Sequence, residues 1–98
     1  MQDVKKIEII IDTFHIQDVL NILDQIKVSG YTVIKDTSGK GDRGISCSDY
    51  LDCDFTGSYI MTVCTNEKQL NTLIELIKPL LKKVGGICLF SDAKWVIH

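Results

Sequence analysis

Residues 30–43, Gly-Tyr-Thr-Val-Ile-Lys-Asp-Thr-Ser-Gly-Lys-Gly-Asp-Arg, are the part of this chain best suited to chemistry. A β-branched run, Tyr31 to Ile34, empties into a basic corner punctuated by glycine: Gly39, Lys40, Gly41 and Arg43. Bare main-chain amides beside two cations at a strand end are what a phosphate group requires. Glycine permits close approach and positive φ, while Lys and Arg donate charge-assisted hydrogen bonds. A second corner, Lys82-Lys83-Val84-Gly85-Gly86, closes a helical pattern later in the chain. Lys82 and Lys83 also suit the negative end of a helix dipole. Taken alone, each corner reads equally as a surface turn with solvated charges.

A catalytic set is harder to assemble. A phosphate cradle between the first strand and helix would need arginine or glycine, and that connection is Asp12-Thr13-Phe14-His15. No Ser or Cys nucleophile lies near His15 in sequence, and His98 is the last residue. The four cysteines, Cys47, Cys53, Cys64 and Cys88, form no C-x-x-C pair of the zinc or thioredoxin kind. Cys64 and Cys88 fall in apolar strand patterns and read as buried thiols. Cys47 and Cys53 fall in a polar stretch, where a reversible disulfide stays open. The chain is therefore expected to be non-enzymatic and to hold no metal.

Hydrophobic periodicity supplies the elements that must position the corners. Val4 to Asp12 alternates as a strand, with Ile7, Ile9 and Ile11 on one face. His15 to about Val28 carries Ile16, Val19, Leu20, Leu23 and Ile26 at helical spacing, and Ser29-Gly30 is expected to end it with a left-handed glycine. Tyr31 to Lys35 is a second strand, followed by a long polar stretch from Asp36 to Asp54. Phe55 to Thr65 is a third strand, with Tyr59, Met61 and Val63 expected to point inward. Asn66 with Gln69 three residues on signals a capped helix start. That helix presents Leu70, Leu73, Ile74, Ile77, Leu81 and Val84, with a kink or tightened turn expected at Pro79. Ile87 to Phe90 is a fourth strand, and Lys94 to Ile97 a possible short fifth.

The order β-α-β-β-α-β predicts an α+β, ferredoxin-like sandwich: an antiparallel sheet with both helices on one face, formed by residues 1–98 as a single domain. The opposite face is expected to carry Ile10, Ile34, Ile60, Cys64, Cys88 and Phe90, interrupted by Glu8 and Thr62. An open face that apolar is best buried against copies of the chain, so a homo-oligomer is expected. A net charge of −2, from 11 basic and 13 acidic residues, argues against a nucleic-acid partner. No apolar run is long enough for a membrane span and the N-terminus lacks a signal-peptide pattern, so a cytoplasmic protein is expected.

Several segments, in this order and spacing, resemble PII signal-transduction proteins. They are Lys5-Lys6-Ile7-Glu8, Phe14, Asp18-Val19 and Gly30-Tyr31-Thr32-Val33, followed by a Gly-x-Gly loop entrance. Gly39-Lys40-Gly41-Asp42-Arg43 and Gly86-Ile87-Cys88-Leu89-Phe90-Ser91-Asp92-Ala93-Lys94 are most similar to the PII-like proteins linked to bicarbonate transport.

The resemblance implies a homotrimer with adenine nucleotides in the clefts between subunits, at the base of a flexible loop spanning about 37–55. It assigns Thr32 to the adenine, and Gly39, Lys40, Gly41 and Arg43 to phosphates. Independently of the resemblance, an oligomer would bring the glycine corner before the fourth strand, with Lys83, Gly85 and Gly86, against that ligand from a neighbouring subunit. Ile45, Cys47, Tyr50, Leu51 and Cys53 belong to the regulatory loop, which would engage a membrane transporter for bicarbonate or another nutrient.

PII proteins proper carry Gly-Asp-Gly-Lys where this chain has Lys83-Val84-Gly85-Gly86, and their Arg-x-Arg after the last strand has no counterpart. With fewer cations, AMP, ADP or cyclic AMP are expected ahead of ATP. Two other readings of the same architecture stand beside this one. They are a metal- or anion-responsive trimer of divalent-ion tolerance type and a weak nucleotide phosphohydrolase.

Overall fold

The computed structural model describes residues 1–40 and 54–98. Strand β1 (Gln2–Asp12) runs into a short 3-10 turn (Thr13–His15) and helix α1 (Ile16–Gln25). Strands β2 (Tyr31–Lys40) and β3 (Asp54–Cys64), helix α2 (Glu67–Val84) and strand β4 (Ile87–Trp95) follow. The sheet order is β2-β3-β1-β4 with every pairing antiparallel, the ferredoxin-like sandwich expected from the element order. Ile7, Ile9 and Ile11 of β1 and Ile60 and Cys64 of β3 meet Val19 and Leu23 of α1 and Leu70, Leu73 and Ile77 of α2 in one core.

The register corrects the reading of β3 and of the open face. Ile9 pairs with Ile60 and with Cys88, and Ile7 with Thr62 and with Phe90. Paired residues share a face, so Ser58, Ile60, Thr62 and Cys64 point toward the helices, and Tyr59, Met61 and Val63 point away. The open face therefore carries Ile10, Ile34, Tyr59, Met61, Val63, Ile87 and Leu89, not Ile60, Cys64, Cys88 and Phe90. The segment Tyr59-Ile-Met-Thr-Val-Cys64 is apolar on both sides, so alternation alone could not choose between them. Two polar residues on the buried side are satisfied locally. Ser58 Oγ lies 3.0 Å from Thr13 Oγ1, and Thr62 Oγ1 donates to the Gly30 carbonyl at 2.6 Å.

Helix ends differ from expectation at α1. The left-handed residue is Lys27 (φ 61), and Gly30 is not left-handed. Val28 N donates to the Leu23 carbonyl and Lys27 N to the Asp24 carbonyl, the paired bonds of a Schellman cap three residues before the expected glycine. At α2 the Asn66 side chain accepts from Gln69 N at 2.8 Å, as the capping pattern predicts. Gln69 Oε1 accepts from Thr65 N, while its amide donates to the Ile26 and Lys27 carbonyls, so one side chain ties the end of α1 to the start of α2. Helix α2 continues past Pro79 to Val84, with the proline on its exposed side.

Two strands outrun their sequence patterns. Strand β4 is continuous to Trp95 because β1 begins at Gln2 and keeps pairing with it, and cross-strand pairs Lys5–Asp92 and Lys94–Asp3 replace apolar alternation there. Strand β2 continues to Lys40 through a bulge, with Lys35 and Asp36 set against Ser58 alone. Beyond the bulge, Thr37 Oγ1 donates to the Gly57 carbonyl at 3.0 Å.

Candidate functional site

The antiparallel order gathers both glycine corners at one end of the sheet. Strand β1 leaves that end at Asp12, opposite Gly57, and β4 enters it at Ile87, opposite Ile10. The β2–β3 ribbon projects past β1, pairing Gly39 with Phe55 and Lys40 with Asp54, three residues beyond Gly57. That projection is roughly 10 Å at the usual strand rise. Gly41 and Arg43, and the loop residues Ile45, Cys47, Tyr50, Leu51 and Cys53, lie outside the described residues.

The second corner is built by the end of α2. Gly85 (φ 82) donates its N–H to the Leu81 carbonyl at 2.8 Å, and Gly86 (φ 118) turns the chain into β4. Lys82 and Lys83 are exposed in the last helical turn, where the dipole favours cations. Packing explains Gly86 without any ligand, since a Cβ there would sit 2.8 Å from the Ile10 carbonyl oxygen. The two corners occupy opposite edges of the sheet, with β3 and β1 between them. Three strand spacings amount to about 14 Å, so one chain does not bring them onto one phosphate group.

Thr32 stands on the open face near the other end of β2, paired with Met61. Beside it lies a cavity of about 430 Å³ lined by Gly30, Tyr31, Thr32, Met61, Val63 and Trp95. Two aromatic rings, a thioether and exposed main chain around a shallow space suit a flat heteroaromatic ring. The sequence reading missed Tyr31, Met61 and Trp95 as lining residues, because Trp95 joins the others only through the sheet. A larger cavity of about 550 Å³ lies where β1 begins and α2 starts, among Asp3, Lys5, Glu67, Asp92 and Lys94. Its lysines are already engaged by Asp92 and Asp3, so its size does not make it the better anion site.

Titratable groups among the described residues offer little to catalysis. His15 Nδ1, at the end of the 3-10 turn, lies 3.5 Å from Asp18 Oδ2 of α1, both open to water, and no nucleophile joins them. Burial pushes the Cys64 thiol up, and burial with Cys64 nearby pushes Cys88 up to about 11, so both stay protonated and weakly nucleophilic. Among the described residues no three His, Cys, Asp or Glu side chains are arranged to hold a metal ion, and no helix is long and apolar enough to cross a membrane.

Comparison with known proteins places this geometry. Residues 4–97 match the family model of nitrogen regulatory protein P-II. No curated protein matches the chain by sequence. Among solved structures, the PII-like protein CPII from Thiomonas intermedia, bound to ADP, AMP and bicarbonate, superposes with a TM-score of 0.81 at 25% identity, covering 98% of this chain and 96% of that one. The same protein bound to ADP and bicarbonate superposes at 0.75 with 28% identity, over 93% and 86% of the two chains. GlnK of B. subtilis in its ATP complex, at 18% identity, shares the fold with a TM-score of 0.66 over 95% and 84%. PII proteins are homotrimers that bind nucleotides and regulate target proteins. With 94 consecutive residues, 4 through 97, under the family model and the βαββαβ sheet in place, this chain belongs to the nitrogen regulatory protein P-II family.

Proposed function

We propose that this chain is a non-enzymatic sensor that binds an adenine nucleotide in clefts between the subunits of a homotrimer. The observation that carries the reading is the placement of two glycine corners at one sheet end but on opposite edges. A phosphate group that needs both must be held by two copies of the chain. The uncovered apolar face, with Ile34 and Leu89 each more than half exposed, supplies a reason for copies to associate.

In this reading Gly39, Lys40, Gly41 and Arg43 of one subunit hold phosphates together with Lys83, Gly85 and Gly86 of the next. The ring of the base occupies the cavity beside Thr32 of a neighbouring subunit, against Tyr31, Met61 and Trp95, because Thr32 and Gly39 of one chain stand roughly 20 Å apart along β2. The ADP- and AMP-bound structures of CPII support the choice of adenine nucleotides. The segment joining β2 and β3, the inner part of the 37–55 span whose ends pair as strands, then reports occupancy to a protein target. Ligand changes the loop only so far as it binds one loop state more tightly than the other. A membrane transporter for bicarbonate or another nutrient is the target proposed, with Ile45, Tyr50 and Leu51 as contacts. Bicarbonate bound to CPII supports the carbon side of that choice. The protein itself is placed in the cytoplasm, meeting the membrane only through that partner. Cys47 and Cys53, on the same loop, would add redox sensitivity if they pair.

Calorimetry with AMP, ADP, ATP and cyclic AMP, each with and without bicarbonate, tests the proposal on the wild type and on a Lys40→Ala/Arg43→Ala variant. The wild type is expected to bind at least one nucleotide without turnover. Loss of two charge-assisted contacts should weaken it about tenfold or more. The single tryptophan, Trp95, reports the base independently, because its fluorescence should change on binding. Absence of binding to all four nucleotides, or equal binding by the variant, defeats the reading.

A further inference from the structure

Among the described residues, the open face has one charged cluster in a field of apolar side chains. Glu8 lies between Met61 of β3 and Leu89 of β4, its cross-strand partners on that face. Tyr59 Oη donates to Glu8 Oε2 at 2.6 Å, and Lys6 Nζ stands 3.7 Å from Glu8 Oε1. The first contact is a full hydrogen bond, and it pushes the Tyr59 hydroxyl up from its ordinary value. The second is too long to be one. Oε1 thus retains acceptor capacity, and the ammonium has three donors to place. Both side chains still reach water, 31% exposed for Glu8 and 42% for Lys6.

Covering this face with copies of the chain removes that water. A carboxylate and an ammonium so buried must find partners or oppose the assembly. A three-fold axis makes each contact heterologous: residue i of one copy meets residue j of the next, and the ring closes after three steps. An acid and a base two residues apart on one strand fit that rule, since each copy carries both halves of the pair.

We infer that Lys6 of each subunit pairs with Glu8 of the next across the buried open faces, closing a ring of alternating charge that Tyr59 orients. This rests on the inter-subunit reading above and extends it, by assigning the residues that set how the copies meet. The apolar residues drive association, and the ring fixes rotation about the axis, because a rotated assembly leaves the buried Glu8 with only Tyr59 and the long 3.7 Å contact to its own chain's Lys6. Among the described residues, no other titratable group faces Glu8 from the neighbouring strands: β3 brings Tyr59 and Met61, and β4 brings Ile87, Leu89 and Ser91.

Sedimentation equilibrium of the intact protein and four variants tests the ring. The wild type should be a trimer. Lys6→Met should dissociate about tenfold more readily at neutral pH. Lys6→Glu and Glu8→Lys should each dissociate, and the double exchange Lys6→Glu/Glu8→Lys should assemble again. Circular dichroism of each variant separates dissociation from unfolding, and recovery in the double exchange cannot come from a misfolded chain. A trimeric wild type with Lys6→Met equally trimeric at neutral pH overturns the ring alone. A wild type that stays monomeric at every concentration overturns the inter-subunit reading and the ring with it.

Discussion

Replacing Gly86 by alanine should destabilise the protein through the backbone, whatever the residue also does for a ligand. At φ 118 an L-residue is strained, and the new Cβ would lie 2.8 Å from the Ile10 carbonyl oxygen and 3.2 Å from Leu81 Cδ2. The Leu81 side chain can rotate aside. The Ile10 carbonyl belongs to β1, where β4 begins to pair, so relief requires the two strands to part. Backbone strain of about 1–2 kcal/mol and overpacking of about 1–3 kcal/mol give a total of roughly 3 kcal/mol. Against a usual stability of about 5–15 kcal/mol that is a large loss. For a domain of this size it lowers the melting temperature by roughly 12–24 °C.

Gly30→Ala is the matched control, because an added Cβ there meets nothing within 4 Å and the residue is not left-handed. It should be neutral or gain about 0.4–1 kcal/mol by narrowing the unfolded ensemble. Urea melts at matched protein concentration measure both, since association would otherwise shift apparent stability. Equal costs at the two glycines, or a Gly86→Ala cost under about 1 kcal/mol, would refute the close-approach argument. The consequence for function is practical. A Gly86 variant that fails to bind nucleotide says nothing about the phosphate site, and Lys40 and Arg43 are the residues to change.

Two further outcomes follow from local geometry. Lys27→Gly should raise stability by about 1 kcal/mol in the same melts, because the Schellman cap of α1 holds an L-residue at φ 61; an unchanged midpoint would mean that lysine's stem recovers the difference. Cys88 makes stability fall with alkali. Its folded value of about 11 lies above the ordinary thiol value of 9.0, so the native state keeps a proton that the unfolded state releases. That contribution is complete below pH 9.0 and is lost as pH rises toward about 11. Cys88→Ala should flatten the slope, and a slope unchanged by that substitution would assign it to other groups.

The elements that came through from sequence are those with one apolar side. Strand β1 and both helices alternate or repeat cleanly, and the Asn66–Gln69 cap formed at its expected place. Errors arose where a segment is apolar on both sides or ends without glycine. Strand β3 could be read with either face inward, and only pairing of Ile60 with Ile9 decided it. The end of α1 falls before Gly30, because Lys27 takes the left-handed conformation that the pattern assigns to the glycine. Strand β4 ran on through Ser91 and Asp92 because Lys5 and the backbone of β1 were waiting opposite.

The candidate site divides along the same line. Composition and spacing by themselves determined that two glycine corners with nearby lysines exist, and that the order of elements is βαββαβ. Those are properties of residue type and separation along the chain, which no folding is needed to read. Tertiary structure alone decided that the corners share one sheet end yet stand on opposite edges. It alone gathered Tyr31, Met61 and Trp95 around Thr32 and set Glu8 and Tyr59 together on the uncovered face. The reason is that strand order and register are set by long-range hydrogen bonding and core packing. Residues dozens of positions apart meet only when the sheet closes.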